Sequence, residues 1–178
     1  MDISWRFDRW FKRLQGSPRD EGVVHGIVIR PSAAGHGGRE CLEEVELTIT
    51  GGLAGDRWAE MDGRTPGNQV SLVNVHVLRS LAGEDPESMA RSGDNLQVDL
   101  ELSEENLPVG TRLQVGGATL EVSPTLHRPC KFFVERFGAT GAKKVARANR
   151  IGRRGRGVLC LVVSDGLVRR NDSIRVLR

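Results

Sequence analysis

Residues 112–122 read RLQVGGATLEV, and the fold class turns on them. Leu113 and Val115 alternate with polar neighbours, and so do Leu120 and Val122. Gly116-Gly117 between the two halves is the two-residue signal of a β-hairpin, which brings those four apolar side chains to one side. A helix repeats its side chains about every 3.6 residues and cannot hold this alternation on one face.

The same period of two, rich in β-branched residues, marks Val23–Arg30, Val45–Thr50, Gln69–Val73 and Asn95–Leu102 as strands. Gly157–Ser164 (GVLCLVVS) is continuously apolar, as a buried strand is, and after a turn at Asp165-Gly166 the last strand is Ser173–Leu177. Helices are fewer. Asn74 caps a short one running through Val75, Leu78 and Leu81 to Gly83, and a second is expected over 142–149. The reading is a mostly β domain over residues 22–178, a closed or half-closed barrel with a few helices attached.

Residues 1–18 stand apart. In MDISWRFDRWFKRLQ, Ile3, Phe7, Trp10, Phe11 and Leu14 recur at helical spacing, and Gly16-Ser17-Pro18 ends the segment. This amphipathic helix is expected to pack on the domain or to pair with a second copy as a homodimer. Contact with a membrane surface is the lesser expectation, because the helix is short and carries two aspartates.

Composition removes several function classes. With 38% hydrophobic and 28% charged residues the chain is an ordinary globular one, of a length for one domain. Its net charge of +3 comes with 4% aromatics and no tyrosine, which excludes nucleic acid as a partner and leaves an anionic small ligand. Cys41, Cys130 and Cys160 form no C-x-x-C pair, so neither a disulfide framework nor a zinc cage is expected, and the compartment is read as the reducing cytoplasm. No signal peptide or membrane span is legible.

Three stretches carry candidate chemistry. In LHRPCKFF, 126–133, Cys130 follows proline, with His127, Arg128 and Lys131 around it, and nearby cations favour the reactive thiolate. Cys160, inside GVLCLVV, is read as core, and Cys41, before two glutamates, as incidental. In GGLAGDRWAEMDG, 51–63, Asp56-Arg57 is either an anion-contacting loop or a salt-bridged turn; it is not a Walker loop or a dinucleotide fingerprint. In SGDNLQVD, 92–99, Asn95 either presents its amide to a ligand or serves as a turn residue.

Gly55-Asp56-Arg57, Asn68-Gln69-Val70-Ser71-Leu72, Gly93-Asp94-Asn95-Leu96, the run Leu107–Leu113 and Pro129-Cys130, in that order, resemble the MOSC family. That family comprises the C-terminal domain of molybdenum-cofactor sulfurases and stand-alone bacterial proteins. The resemblance implies a barrel-like fold of the pyruvate-kinase β-barrel type and an essential cysteine, matched by Cys130. It implies one of two activities. In one, the cysteine thiolate ligates the metal of a bound molybdenum cofactor (molybdopterin), and N-hydroxylated substrates are reduced with electrons from a donor protein. Cys130 is then the catalytic and metal-binding residue, with Arg57, Asn95, Arg128, Asp56 and Lys131 as candidates for holding the cofactor. In the other, Cys130 carries sulfur as a persulfide from a pyridoxal-phosphate-dependent cysteine desulfurase to a metal centre. A binding or scaffold domain without turnover is the alternative of a third kind. Three positions depart from the family: Trp58 where histidine is usual, Asn68 where arginine is frequent, and Asp94 for glutamate.

Overall fold

The computed structural model describes residues 9–35 and 37–178. The hairpin forms as expected. Strands β7 (Arg112–Val115) and β8 (Ala118–Val122) pair antiparallel, Leu113 opposite Leu120 and Val115 opposite Ala118, with all four side chains fully buried. Gly116 has φ 51°, the left-handed backbone that favours glycine at the first central position of such a turn.

Numbering the remaining strands in chain order, β1 is Glu21–Ile29, β2 Glu40–Leu42, β3 Glu44–Thr48, β4 Gly52–Leu53, β5 Val70–Asn74 and β6 Leu96–Asp99. Then come β9 (Val158–Ser164), β10 (Gly166–Arg169) and β11 (Ser173–Leu177). Hydrogen bonding runs β11-β7-β8-β9-β5-β6-β1, and β1 returns to β11, so a seven-stranded barrel closes and leaves no open edge in the ring. Strand β2 hangs on the far end of β1, and β10-β3-β4 form a small separate sheet. The barrel is filled by Leu72, Leu96, Leu113, Leu120, Cys160 and Ile174, among others. Cys160 is fully buried there, and burial pushes its thiol up to about 12.

β5 and β6 are the parallel pair, which needs a crossover. Helices α1 (Val75–Ala82) and α2 (Pro86–Ala90) supply it. Asn74 caps α1 as expected, its Oδ1 accepting from the amides of His76 and Val77 at 2.9 and 3.2 Å. Helix α3, expected over 142–149, spans Lys131–Arg150 with a kink at Gly138, whose φ is 73°. Its first half was hidden by aromatic and β-branched residues and two glycines, all weak helix formers. Phe133 and Val145, both buried, fix it by packing. Two further differences are small. The expected strand over Asn95–Leu102 ends at Asp99, and the turn after Ser164 leads into β10.

Residues 9–12 are helical, and Trp10, Phe11 and Leu14 pack on Val77 of α1 and on Phe133, Ala142 and Val145 of α3. Lys144 lies 5.4 Å over the Trp10 ring. Residues 10–14 thus rest on the domain itself; Ile3, Trp5 and Phe7 lie outside the described residues. No helix among the described residues is long and apolar enough to cross a membrane.

Candidate functional site

Cys130 is exposed and stands at the N-cap of α3 in an extended conformation, where its carbonyl accepts from the amides of Phe133 and Val134. Pro129 before it prevents an earlier helix start. Its thiol makes no capping bond. Lys131 lies 4.9 Å over the Phe132 ring, and Arg128 lines a groove that neither Asp56, Arg57 nor Asn95 reaches. Cys41 is also exposed, but burial of part of its surroundings, then Glu87, pushes its thiol up.

Behind Cys130, the helix start is anchored by charge. The Phe133 ring lies 4.7 Å under the Arg156 guanidinium, which grips both oxygens of Asp94 at 2.6 Å. Asp94 is 1% and Arg156 6% exposed, so each charge is matched by one opposite charge. Burial pushes the Asp94 carboxyl up, and the Arg156 charge overrides it to leave the group below its ordinary range. His127 lies 3.6 Å from Asp94 and is held neutral, down at about 3, by burial and then by the Arg156 charge.

Asn95, next to Asp94, directs its amide inward. Its Nδ2 donates to Val28 O and Asp56 Oδ2, both at 3.2 Å, and its Oδ1 accepts from the Ser71 amide and hydroxyl. All its side-chain capacity is used within the protein. Asp56 accepts from Asn95, from Trp58 N and three times from Arg30, at 2.8–3.0 Å for the arginine. Burial raises its carboxyl, and the hydrogen bonds and charge of Arg30 bring it below the ordinary range. Asp56 and Asn95 therefore build the site rather than face a ligand, the salt-bridged turn left open by the sequence.

Arg57 is different. It is half-buried, and its guanidinium makes no hydrogen bond among the described residues. Burial lowers its proton affinity first, and the charges of Arg30 and Arg136 add to that. Arg39 belongs to the same group, lowered to about 10 by burial and then by Arg136, Arg57 and Arg30. A side chain on Gly93, at φ 77°, would stand 2.9 Å from the Arg39 guanidinium, so glycine is what lets Arg39 in. Arg136 comes from α3 itself, the helix that Cys130 begins. The charges of these four arginines thus act on one another near Asp56, and among them Arg57 has a guanidinium that can receive an anion. Arg30, Arg39 and Arg136 escaped sequence reading because they are far from Arg57 in the chain; Arg39 had a signal only in its following a glycine-rich loop. Among the described residues no cluster of metal-ligating side chains exists.

Two of the departures from the family pattern meet. Trp58 Nε1 donates to Asn68 Oδ1 at 2.7 Å, and Trp58 is buried. Gln69 beside them ties the small sheet to the barrel, donating to Ile49 O at 2.7 Å and accepting from Val162 N at 2.8 Å.

The fold has solved relatives. The YuaD protein from Bacillus subtilis superposes with a TM-score of 0.62 at 20% identity, over 88% of this chain and 95% of that one. YiiM from Escherichia coli gives 0.56 at 21% identity, over 89% of this chain and 69% of its own. YiiM from Geobacillus stearothermophilus gives 0.55 at 14% identity, over 88% and 73%. No curated protein sequence matches the chain. The family model of the MOSC domain matches residues 46–175, a span that holds Arg57, the Asp94–Asn95 pair and Cys130. With its closed barrel and that match over most of its length, the chain belongs to the MOSC domain family.

Proposed function

We propose that the chain binds the molybdenum cofactor, with the Cys130 thiolate as metal ligand and the pterin phosphate on Arg57 and the guanidiniums around it, and that it reduces N-hydroxylated substrates. The observation that carries this reading is Arg57: its half-buried guanidinium makes no hydrogen bond among the described residues, and the charges of Arg30 and of Arg136, on the helix that Cys130 begins, act on it. Arg30 is matched by Asp56, which leaves the Arg57 guanidinium to receive a phosphate oxygen. The donor set fits the group: a soft sulfur suits the metal, and planar guanidiniums suit the phosphate. When bound, the cofactor would supply the metal centre for two-electron reduction. The residues of the chain hold it in place: the Arg156–Asp94 pair and Phe133 fix the helix start, and Asp56 and Asn95 orient the loop carrying Arg57. Reduction to the amine breaks the N–O bond, consumes two electrons and two protons, and releases water, the electrons arriving from a partner electron carrier.

The exposure of Cys130 favours a second reading, because a thiol at the surface can meet another protein. Its thiolate would attack the terminal sulfur of a desulfurase persulfide, taking that sulfur and releasing the desulfurase thiolate.

The test is the molybdenum and pterin content of protein purified from a cofactor-competent host. Stoichiometric metal is expected in the wild type, none in Cys130→Ala, and about tenfold weaker retention in Arg57→Ala, the loss of one charged hydrogen-bond donor. No metal in any of the three overturns the cofactor reading and leaves persulfide transfer, sought as a labelled sulfur on Cys130.

A further inference from the structure

A groove of about 820 Å³ runs between the loop at Pro108-Val109, the segment 123–129 and the second half of α3, and ends at Pro129, the residue before Cys130. That volume lies in the range of small-molecule sites, roughly 300–1,000 Å³. Its rim carries Leu126 and Val109, 63% and 58% exposed, the most exposed large apolar side chains among the described residues. Apolar walls with a few polar groups among them are the usual lining of a small-molecule site.

The charges of the groove divide into two kinds. Arg154 is engaged: its Nη1 donates to Leu107 O at 2.6 Å and Leu102 O at 3.4 Å, and the Glu104 charge acts on it. Arg128 and Arg150 are both exposed and have no hydrogen-bond or ion-pair partner among the described residues. The wall between them is rigid, because Asn149 donates to His127 O at 2.8 Å and accepts from Arg156 N at 3.0 Å. The groove thus offers apolar walls and two unengaged guanidiniums, with Glu104 the one acidic residue in its lining among the described residues.

We propose that this groove binds a small molecule with an apolar body and a carboxylate group, the carboxylate between Arg128 and Arg150 and the body against Leu126 and Val109. That this molecule is the substrate reacting at Cys130 rests on the proposed function; the binding itself does not. The ligand is thereby distinguished from the cofactor, whose phosphate belongs to the Arg57 cluster.

The experiment titrates the isotope-labelled full-length chain with 2-naphthoate and, separately, with its uncharged counterpart 2-naphthamide, following backbone amide shifts. Shifts are expected at Val109, at the non-proline residues of 123–129 and at 146–158, with the carboxylate bound about tenfold more tightly, the worth of one charged hydrogen bond. The double variant Arg128→Ala/Arg150→Ala removes that preference and leaves 2-naphthamide binding unchanged, which also shows that the variant is folded. Equal affinity for the two probes, shifts centred elsewhere, or none at saturating probe overturns the proposal. The same titration on Cys130→Ala separates it from the cofactor reading: groove binding survives there, whereas metal is lost.

Discussion

Asp94 with Arg156 and Asp56 with Arg30 are both buried carboxylates gripped through two oxygens by a guanidinium, and Asn95, which follows Asp94 in the chain, donates to Asp56. At Asp94 the count closes: one anion, one cation and a histidine held neutral. At Asp56 it does not, because Arg57 stands beside a pair already complete and its guanidinium makes no hydrogen bond among the described residues. A buried pair with matched charge is a brace, and one with surplus charge is a seat for something else. The difference separates structural electrostatics from a binding site between two pairs that adjoin at Asp94-Asn95.

The largest effect is expected from Asp94→Asn. It strands the Arg156 charge at 6% exposure and costs about 3–5 kcal/mol, read from the urea midpoint. Asp56→Asn costs less, about 2 kcal/mol, because Arg30 at 20% exposure can turn to water, and added inorganic phosphate slows that variant's unfolding more than the other's. Equal losses with equal phosphate response would erase the distinction.

The pH profile sharpens it next. His127 in the fold lies at about 3, below its ordinary 6.5, so the unfolded chain takes up the proton first. The stability is fully present above about pH 6.5 and falls as pH drops towards 3, by up to about 1.4 kcal/mol per pH unit. His127→Gln should flatten that window in denaturation curves. Asp56 and Asp94, both depressed in the fold, add a separate loss only below about pH 4. A wild-type profile flat between pH 4 and 6.5 would mean that His127 is not closed off beside Arg156.

The smallest effect is expected at Cys130. Cys130→Ser should shift the thermal midpoint hardly at all, within about 0.5 kcal/mol, because the thiol is exposed and caps nothing. A larger loss would make the cysteine part of the packing and weaken its reading as a reactive group.

Much of the barrel was legible because its signals are local. The alternation of Leu113 and Val115 with polar neighbours, the Gly116 turn and the Asn74 cap each act over a few residues, and each appears where expected. The first half of α3 was not, since Gly138, Gly141 and the paired Phe132-Phe133 argue against helix locally while burial of Phe133 under Arg156 argues for it. Of the candidate site residues, Cys130 stands exposed as a reactive thiol must, and Arg57 keeps an unengaged guanidinium. Asp56 and Asn95 sit at the site but turn inward, and Arg128 lines the neighbouring groove.

By itself, then, the sequence determined the β class, the seven strands of the barrel, the core role of Cys160 and the place of Cys130 directly after a proline. Only the tertiary structure decided that Arg30, Arg39 and Arg136 join Arg57, that Trp58 and Asn68 complete one another, and that Trp10 and Phe11 cover α3. The physical reason is range: side-chain alternation and caps are set by neighbours in the chain, whereas charge balance is a sum over residues that only the closed barrel brings together.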